Sequence, residues 1–154
     1  MLRKLAVLAV LAVTNVALLT AVATAGQATA KQRVALELRN NSFVLTSLTA
    51  GALKRDTGAM SACCWTRRFV TRDGESIEVN NPKLTLTGGN GTLVLRNRIE
   101  WVDLPDGWAI FTGTWKVVRG TGAYAGVSGG GRLGGSAPNE STTKARLEGF
   151  LSPR

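Results

Sequence analysis

Apolar side chains along this chain return at every second position far more often than at every third or fourth, the period of a strand with one buried face. Val34, Leu36 and Leu38 share a side, with Ala35, Glu37 and Arg39 opposite. Ile77 and Val79 alternate around Glu78, and Leu84 and Leu86 around Thr85. The clearest run is 92–102, where Leu93, Leu95, Ile99 and Trp101 share a face with Asn97, against Arg96, Arg98 and Glu100. Segments 108–118 and 145–151 complete the set, and nothing after Ala30 sustains the 3.6-residue stripe of a helix.

Turn chemistry falls where the alternation stops: Asp73-Gly74, Asn80-Asn81-Pro82, Gly88-Gly89-Asn90-Gly91 and Pro105-Asp106-Gly107. The third and fourth are expected as hairpin loops. Residues 46–62 alternate too little for a confident strand and are expected mainly as a long surface connection with a short edge strand. Six to eight short strands at this spacing predict an all-β fold, an antiparallel barrel or sandwich. The barrel is preferred because closure removes exposed sheet edges.

The first thirty residues stand apart. Arg3 and Lys4 precede an apolar stretch at 5–22, interrupted by Thr14 and Asn15, and Ala28-Thr29-Ala30 is a small-residue cleavage site. A cleaved signal helix over 1–30 is expected, with export to a secreted or periplasmic location; Ala23-Thr24-Ala25 is a second acceptable site. The alternative, an uncleaved anchor, needs a stretch near the lower limit for spanning a bilayer. After cleavage no stable membrane span is expected. The remaining domain, 31–154, is about the length of one unit with a real core.

The whole chain carries a net charge of +9. Removing Arg3 and Lys4 leaves 17 basic against ten acidic residues, about +7, enough to favour anionic surfaces. The bases are dispersed, with Lys54-Arg55 and Arg67-Arg68 the only adjacent pairs after cleavage, and no stacking motif accompanies them. Nucleic-acid binding is therefore not expected.

Glycines crowd 113–132. Gly120, Gly122 and Gly126 do not meet the G-x-G-x-x-G spacing, no Gly-Lys-Ser/Thr follows, and a run such as Gly129-Gly130-Gly131 is a poor helix start. Phosphate binding is set aside in favour of a tight turn or a close backbone approach between crowded strands. The run "TGTWKVVRGTGAYAGVSGGG" resembles the strand, glycine turn and strand of the allene oxide cyclase and dirigent barrel superfamily. With "WTRRFVTRDG" and "RIEWVD" it is similar to a group of uncharacterised exported bacterial proteins placed near that superfamily. The resemblance implies a single antiparallel barrel of about eight strands, often with an apolar cavity and a tendency to form trimers. It also implies small organic substrates in the plant members, which guide cyclisation or radical coupling with interior acidic or aromatic residues. None of those residues maps onto this chain by motif.

Histidine is absent, which excludes Ser-His-Asp triads, Cys-His pairs and the usual histidine-containing zinc sites. The acidic residues show no calcium-loop spacing, and neither a metal nor a cofactor is expected. Cys63 and Cys64 are neighbours, and three readings stay open: separate thiols, a vicinal disulfide, or an intermolecular bridge. Consecutive Cα atoms about 3.8 Å apart sit below the usual disulfide range of about 4.4–6.8 Å, and a regular strand would point the two side chains to opposite faces. Glu100 beside Arg98 is a catalytic candidate if its face lines a cavity, and a plain surface ion pair if it does not. Glu37 carries the same ambiguity. Trp65, Trp101, Trp108 and Trp115 with Phe69, Phe111 and Tyr124 are ligand-lining candidates, against the alternative of packed core or oligomer surface, which Trp101 supports best. The functional expectation is a barrel that binds a small apolar molecule or serves as a homo-oligomerising scaffold. An isomerase or cyclase, and an envelope protein drawn to anionic polymers, are the alternatives.

Overall fold

The computed structural model of the chain describes residues 31–139 and 142–153, so the expected signal segment lies outside the described residues. Ten strands form among them: β1 (Gln32–Arg39), β2 (Ser42–Ser47), β3 (Asp56–Cys63), β4 (Arg67–Arg72), β5 (Glu75–Asn80), β6 (Lys83–Gly88), β7 (Gly91–Asp103), β8 (Ala109–Gly120), β9 (Ser128–Asn139) and β10 (Thr142–Ser152). A single 3-10 turn, Gly122–Tyr124, is the only helical element described. Eight strands close a ring in the order β1-β2-β3-β6-β7-β8-β9-β10 and back to β1, and every pairing is antiparallel. The all-β fold and the antiparallel barrel preferred from the alternation are both present, and the ring has eight strands. The β4–β5 hairpin stands outside the ring.

That hairpin exists because β7 is long. Its first half, Gly91 to Arg96, pairs with β6, while Ile99, Glu100 and Trp101 pair on the same edge with β5. The polypeptide passes from one partner to the next through Asn81-Pro82, where proline cannot donate to a ladder. Asn80-Asn81-Pro82 is thus a break in an edge rather than a reversal. Asp73-Gly74 is the true turn, both residues at positive φ (54° and 82°), which matches the twist of a two-residue hairpin.

One expectation needs correcting. Residues 56–62, expected mainly as surface connection with at most a short edge strand, belong to β3, a full barrel strand between β2 and β6. Its inward row, Asp56, Gly58, Met60 and Ala62, contains one large apolar residue, so hydrophobicity cannot reveal its period. The glycines serve in both ways expected: Gly122 and Gly126 take positive φ (60° and 71°) in the 121–127 connection, and those from 129 onward lie in β9, where neighbouring backbones approach closely.

The inward faces pack a filled core of Val34, Leu36, Leu45, Leu86, Leu95 and Leu147 with their neighbours. One end of the barrel is plugged. Gln32, 1 % exposed, ties residues 47–53 to β1: its Nε2 donates to Ser47 Oγ and to Leu53 O (2.7 Å), and its Oε1 accepts from Leu53 N (3.0 Å). Beside it the Asp56 carboxylate accepts from Thr57 N (2.9 Å), Gly89 N (2.9 Å), Asn90 N (3.3 Å) and Tyr124 Oη (2.8 Å). At the other end β7 and β8 continue past the core, with β4 and β5 beside them.

Candidate functional site at the open end of the barrel

Directly opposed residues of antiparallel neighbours point to the same face, so the registers assign the inward rows at the open end. The outermost runs Phe69, Glu78, Trp101, Phe111 and Gly135. The next holds Arg67, Asn80, Ile99, Gly113 and Leu133. Below it lie Asn97, Trp115 and Gly131.

Trp101 and Phe111 stack with ring centroids 5.0 Å apart and planes 1° from parallel. The Trp101 Nε1–H donates to Asp103 Oδ1 at 2.8 Å, which fixes the indole. Gly135 makes room for this pair, since a Cβ there would stand 2.3 Å from Phe111 Cζ. Across the row Phe69 is 62 % exposed, with the Arg67 guanidinium 5.2 Å above its ring, a cation–π arrangement. Arg67 also pairs with Glu78, whose second oxygen accepts from Asn80 Nδ2 at 2.6 Å. The rim is therefore polar and internally satisfied, and the wall is aromatic.

The floor holds an unsatisfied polar group. Asn97 is 2 % exposed, and its Oδ1 has no hydrogen-bond partner among the described residues. Its row neighbour cannot supply one: the Trp115 Nε1–H is directed at Arg132 O (3.1 Å) and Glu148 O (3.3 Å). A buried acceptor without a donor costs about 1–3 kcal/mol. The arrangement offers one buried hydrogen-bond acceptor beneath an aromatic pair.

Of the residues singled out from sequence, Phe111 and Trp115 belong to this interior, 4 % and 3 % exposed. Trp108 is exposed in the β7–β8 loop, and Tyr124 lies at the plugged end on Asp56. Glu100 and Arg98 occupy the outward face of β7, so their face does not line the barrel. Arg72 Nη1 reaches Glu100 Oε2 at 3.1 Å and Arg98 Nη1 reaches Oε1 at 2.9 Å. Hydrogen bonds from Arg72 and then Arg98 hold the Glu100 carboxyl below its usual range. Glu37 is likewise an outward, exposed partner of Arg146 at 3.1 Å. Glu100→Gln should therefore change the unfolding free energy by less than about 1 kcal/mol. Denaturant titrations at low and high salt check this, the difference shrinking as salt screens the pair.

Sequence reasoning placed Asn97 on the apolar face of its strand but assigned it no role. Arg67, Glu78 and Asn80 carry no role in the sequence pattern, because the pairing of β5 with β7, which no local spacing encodes, brings them into the rows of Ile99 and Trp101. Cys63 and Cys64 are exposed, unbridged thiols at the end of β3. No cluster of three or more His, Cys, Asp or Glu residues suited to a metal occurs among the described residues. No family model matches the chain, and neither the curated proteins nor the solved structures hold a match to it.

Proposed function

We propose that this is an exported barrel protein that binds a small, planar, mainly apolar molecule carrying one hydrogen-bond donor, at the open end of the barrel. The observation that carries the reading is Asn97 Oδ1, a buried acceptor without a partner among the described residues, beneath Ile99 and the Trp101–Phe111 stack. Export is supported by the charged start, apolar stretch and small-residue site of 1–30. The resemblance of 112–131 to the allene oxide cyclase and dirigent barrels supports a small organic ligand. An isomerase or cyclase on the same molecule is the weaker reading. Glu78, the carboxylate of the inward rim, already has both oxygens engaged by Arg67 and Asn80.

Asn97→Leu separates a binding role from a structural one. An apolar isostere removes an unsatisfied acceptor, so the variant should be as stable as the parent or up to about 2 kcal/mol more stable. It should also lose the bound molecule. Native mass spectrometry of protein purified from its own secretions, with tryptophan fluorescence during titration by hydroxylated aromatic compounds, reads both. A parent that carries nothing and responds to none of them sinks the proposal.

A further inference from the structure

The outward face of the barrel carries a mixed row of side chains near the plugged end, and no role described so far uses it. Leu48 extends the β1–β2 ladder past Ser47, its N–H donating to Arg33 O at 2.8 Å. Arg33 stands opposite Phe150 on β10, Phe150 opposite Gly130 on β9, and Gly130 opposite Lys116 on β8. Opposed residues share a face, and Gln32 and Leu151, the chain neighbours of Arg33 and Phe150, are buried on the inward side. Leu48, Arg33, Phe150, Gly130 and Lys116 are therefore one outward band across five adjacent strands, with apolar and cationic side chains interleaved.

Leu48 is 41 % and Phe150 49 % exposed. They flank Arg33, about 10 Å apart at two strand spacings. Beyond Phe150 the band holds Gly130, which has no side chain to cover the ring. The free charge at this end has one sign. Lys31, Lys54, Arg55 and Arg119 are exposed there. The nearby carboxylates are committed: Asp56 is buried beneath its donors, and Glu148 is held by Arg33 at 3.4 Å and Arg146 at 2.7 Å. Asp73, Glu75, Glu78, Glu100, Asp103 and Asp106 all lie toward the other end, on β5, in the loops or on the last part of β7.

We infer that this band docks the protein on the surface of an anionic lipid bilayer.

Cations alone would suit any polyanion, and Leu48 and Phe150 decide between them. A dissolved polyanion gives an exposed phenyl ring nothing to bury against. The boundary between headgroups and acyl chains takes apolar side chains and cations at neighbouring depths, the long basic side chains reaching back to the phosphates. A second copy of the chain fits less well, because Arg33 and Lys116 would meet the like charges of the same band.

The test is co-sedimentation of the protein purified from its own secretions with two kinds of vesicle, one of phosphatidylcholine alone and one of phosphatidylcholine mixed with an equal part of phosphatidylglycerol. Binding to the anionic vesicles only, weakening as salt is raised, is expected. Phe150→Ser should weaken it about tenfold, and Arg33→Gln and Lys116→Gln about fivefold each. All three side chains are exposed, so circular dichroism should show the parental fold. Ile110→Ser, which removes a comparably exposed side chain at the opposite end, should bind as the parent does. The proposal is overturned by no binding to anionic vesicles, by equal binding to both kinds, or by a Phe150→Ser variant that binds like the parent. A loss in Ile110→Ser as large as in Phe150→Ser overturns it as well.

Discussion

Replacing Asp56 with alanine should lower the unfolding free energy by about 3–5 kcal/mol, the amount expected when several donors around one buried acceptor are orphaned together. The carboxylate is 5 % exposed and accepts from the β6–β7 turn through Gly89 N and Asn90 N, from Thr57 N, and from the Tyr124 hydroxyl. Alanine leaves the Tyr124 O–H and the Gly89 N–H near the core without a partner. Tyr124→Phe removes one donor and keeps the rest, so its loss should be smaller, about 1–2 kcal/mol. Denaturant titration of both variants measures the order.

Tyr124 is the only tyrosine of the chain, which makes the contact directly observable. Burial, and then the hydrogen bond and charge of Asp56, push its hydroxyl well above the usual tyrosine range. The unfolded chain releases this proton near pH 10 while the folded chain retains it. The stabilisation is therefore complete below about pH 10 and is lost as pH rises from there toward the folded value. Tyrosinate absorbance should stay silent in the native protein at pH values where it develops in denaturant. The fall in stability above pH 10 should be shallower in Tyr124→Phe.

Gly131→Ala should be comparably damaging, roughly 3 kcal/mol or more, although it adds a single methyl group. A Cβ at this position would lie 1.9 Å from the Glu148 carbonyl oxygen and 2.7 Å from the Gly149 Cα, both backbone atoms of β10. Backbone cannot rotate out of the way as the end of a side chain can, so β9 and β10 would have to separate. Gly131 is also the register partner of Trp115, and the indole lies toward this bare stretch of β9 to reach Arg132 O and Glu148 O. A side chain here threatens those two bonds as well. Thermal unfolding, with tryptophan fluorescence as a second probe, should show a lower midpoint and an altered Trp115 environment.

How far the chain announces its fold depends on which side chains carry the alternation. In β1, β6 and β7 most inward positions are Val, Leu or Ile, and the period is plain. In β3 the inward positions include Asp56, Gly58 and Ala62, so the strand is held by its neighbours' ladders and by the Asp56 hydrogen bonds rather than by its own hydrophobicity. β4, RRFVTR, is exposed at nearly every position and pairs only with β5, so its residues carry almost no burial signal. β9 hides for the opposite reason: glycine supplies space to Phe111 and the neighbouring backbones, and an absent side chain leaves no pattern. The site was legible in part. The shared face of Leu93, Leu95, Asn97, Ile99 and Trp101 could be read directly, and it is the inward face. That Asn97 lacks a partner depends on Trp115 being committed to backbone 17 and 33 residues away, and no local spacing encodes that.

The pairing of Gln32 with Leu151 has a consequence for how the molecule can be mounted. Among the described residues the first and last strands, β1 and β10, lie side by side, and Gln32 meets Leu151 at the end closed by Gln32, Asp56 and Tyr124. The Trp101–Phe111 stack stands at the opposite end of the barrel, so a surface linked near Gln32 or Leu151 would meet the closed end first.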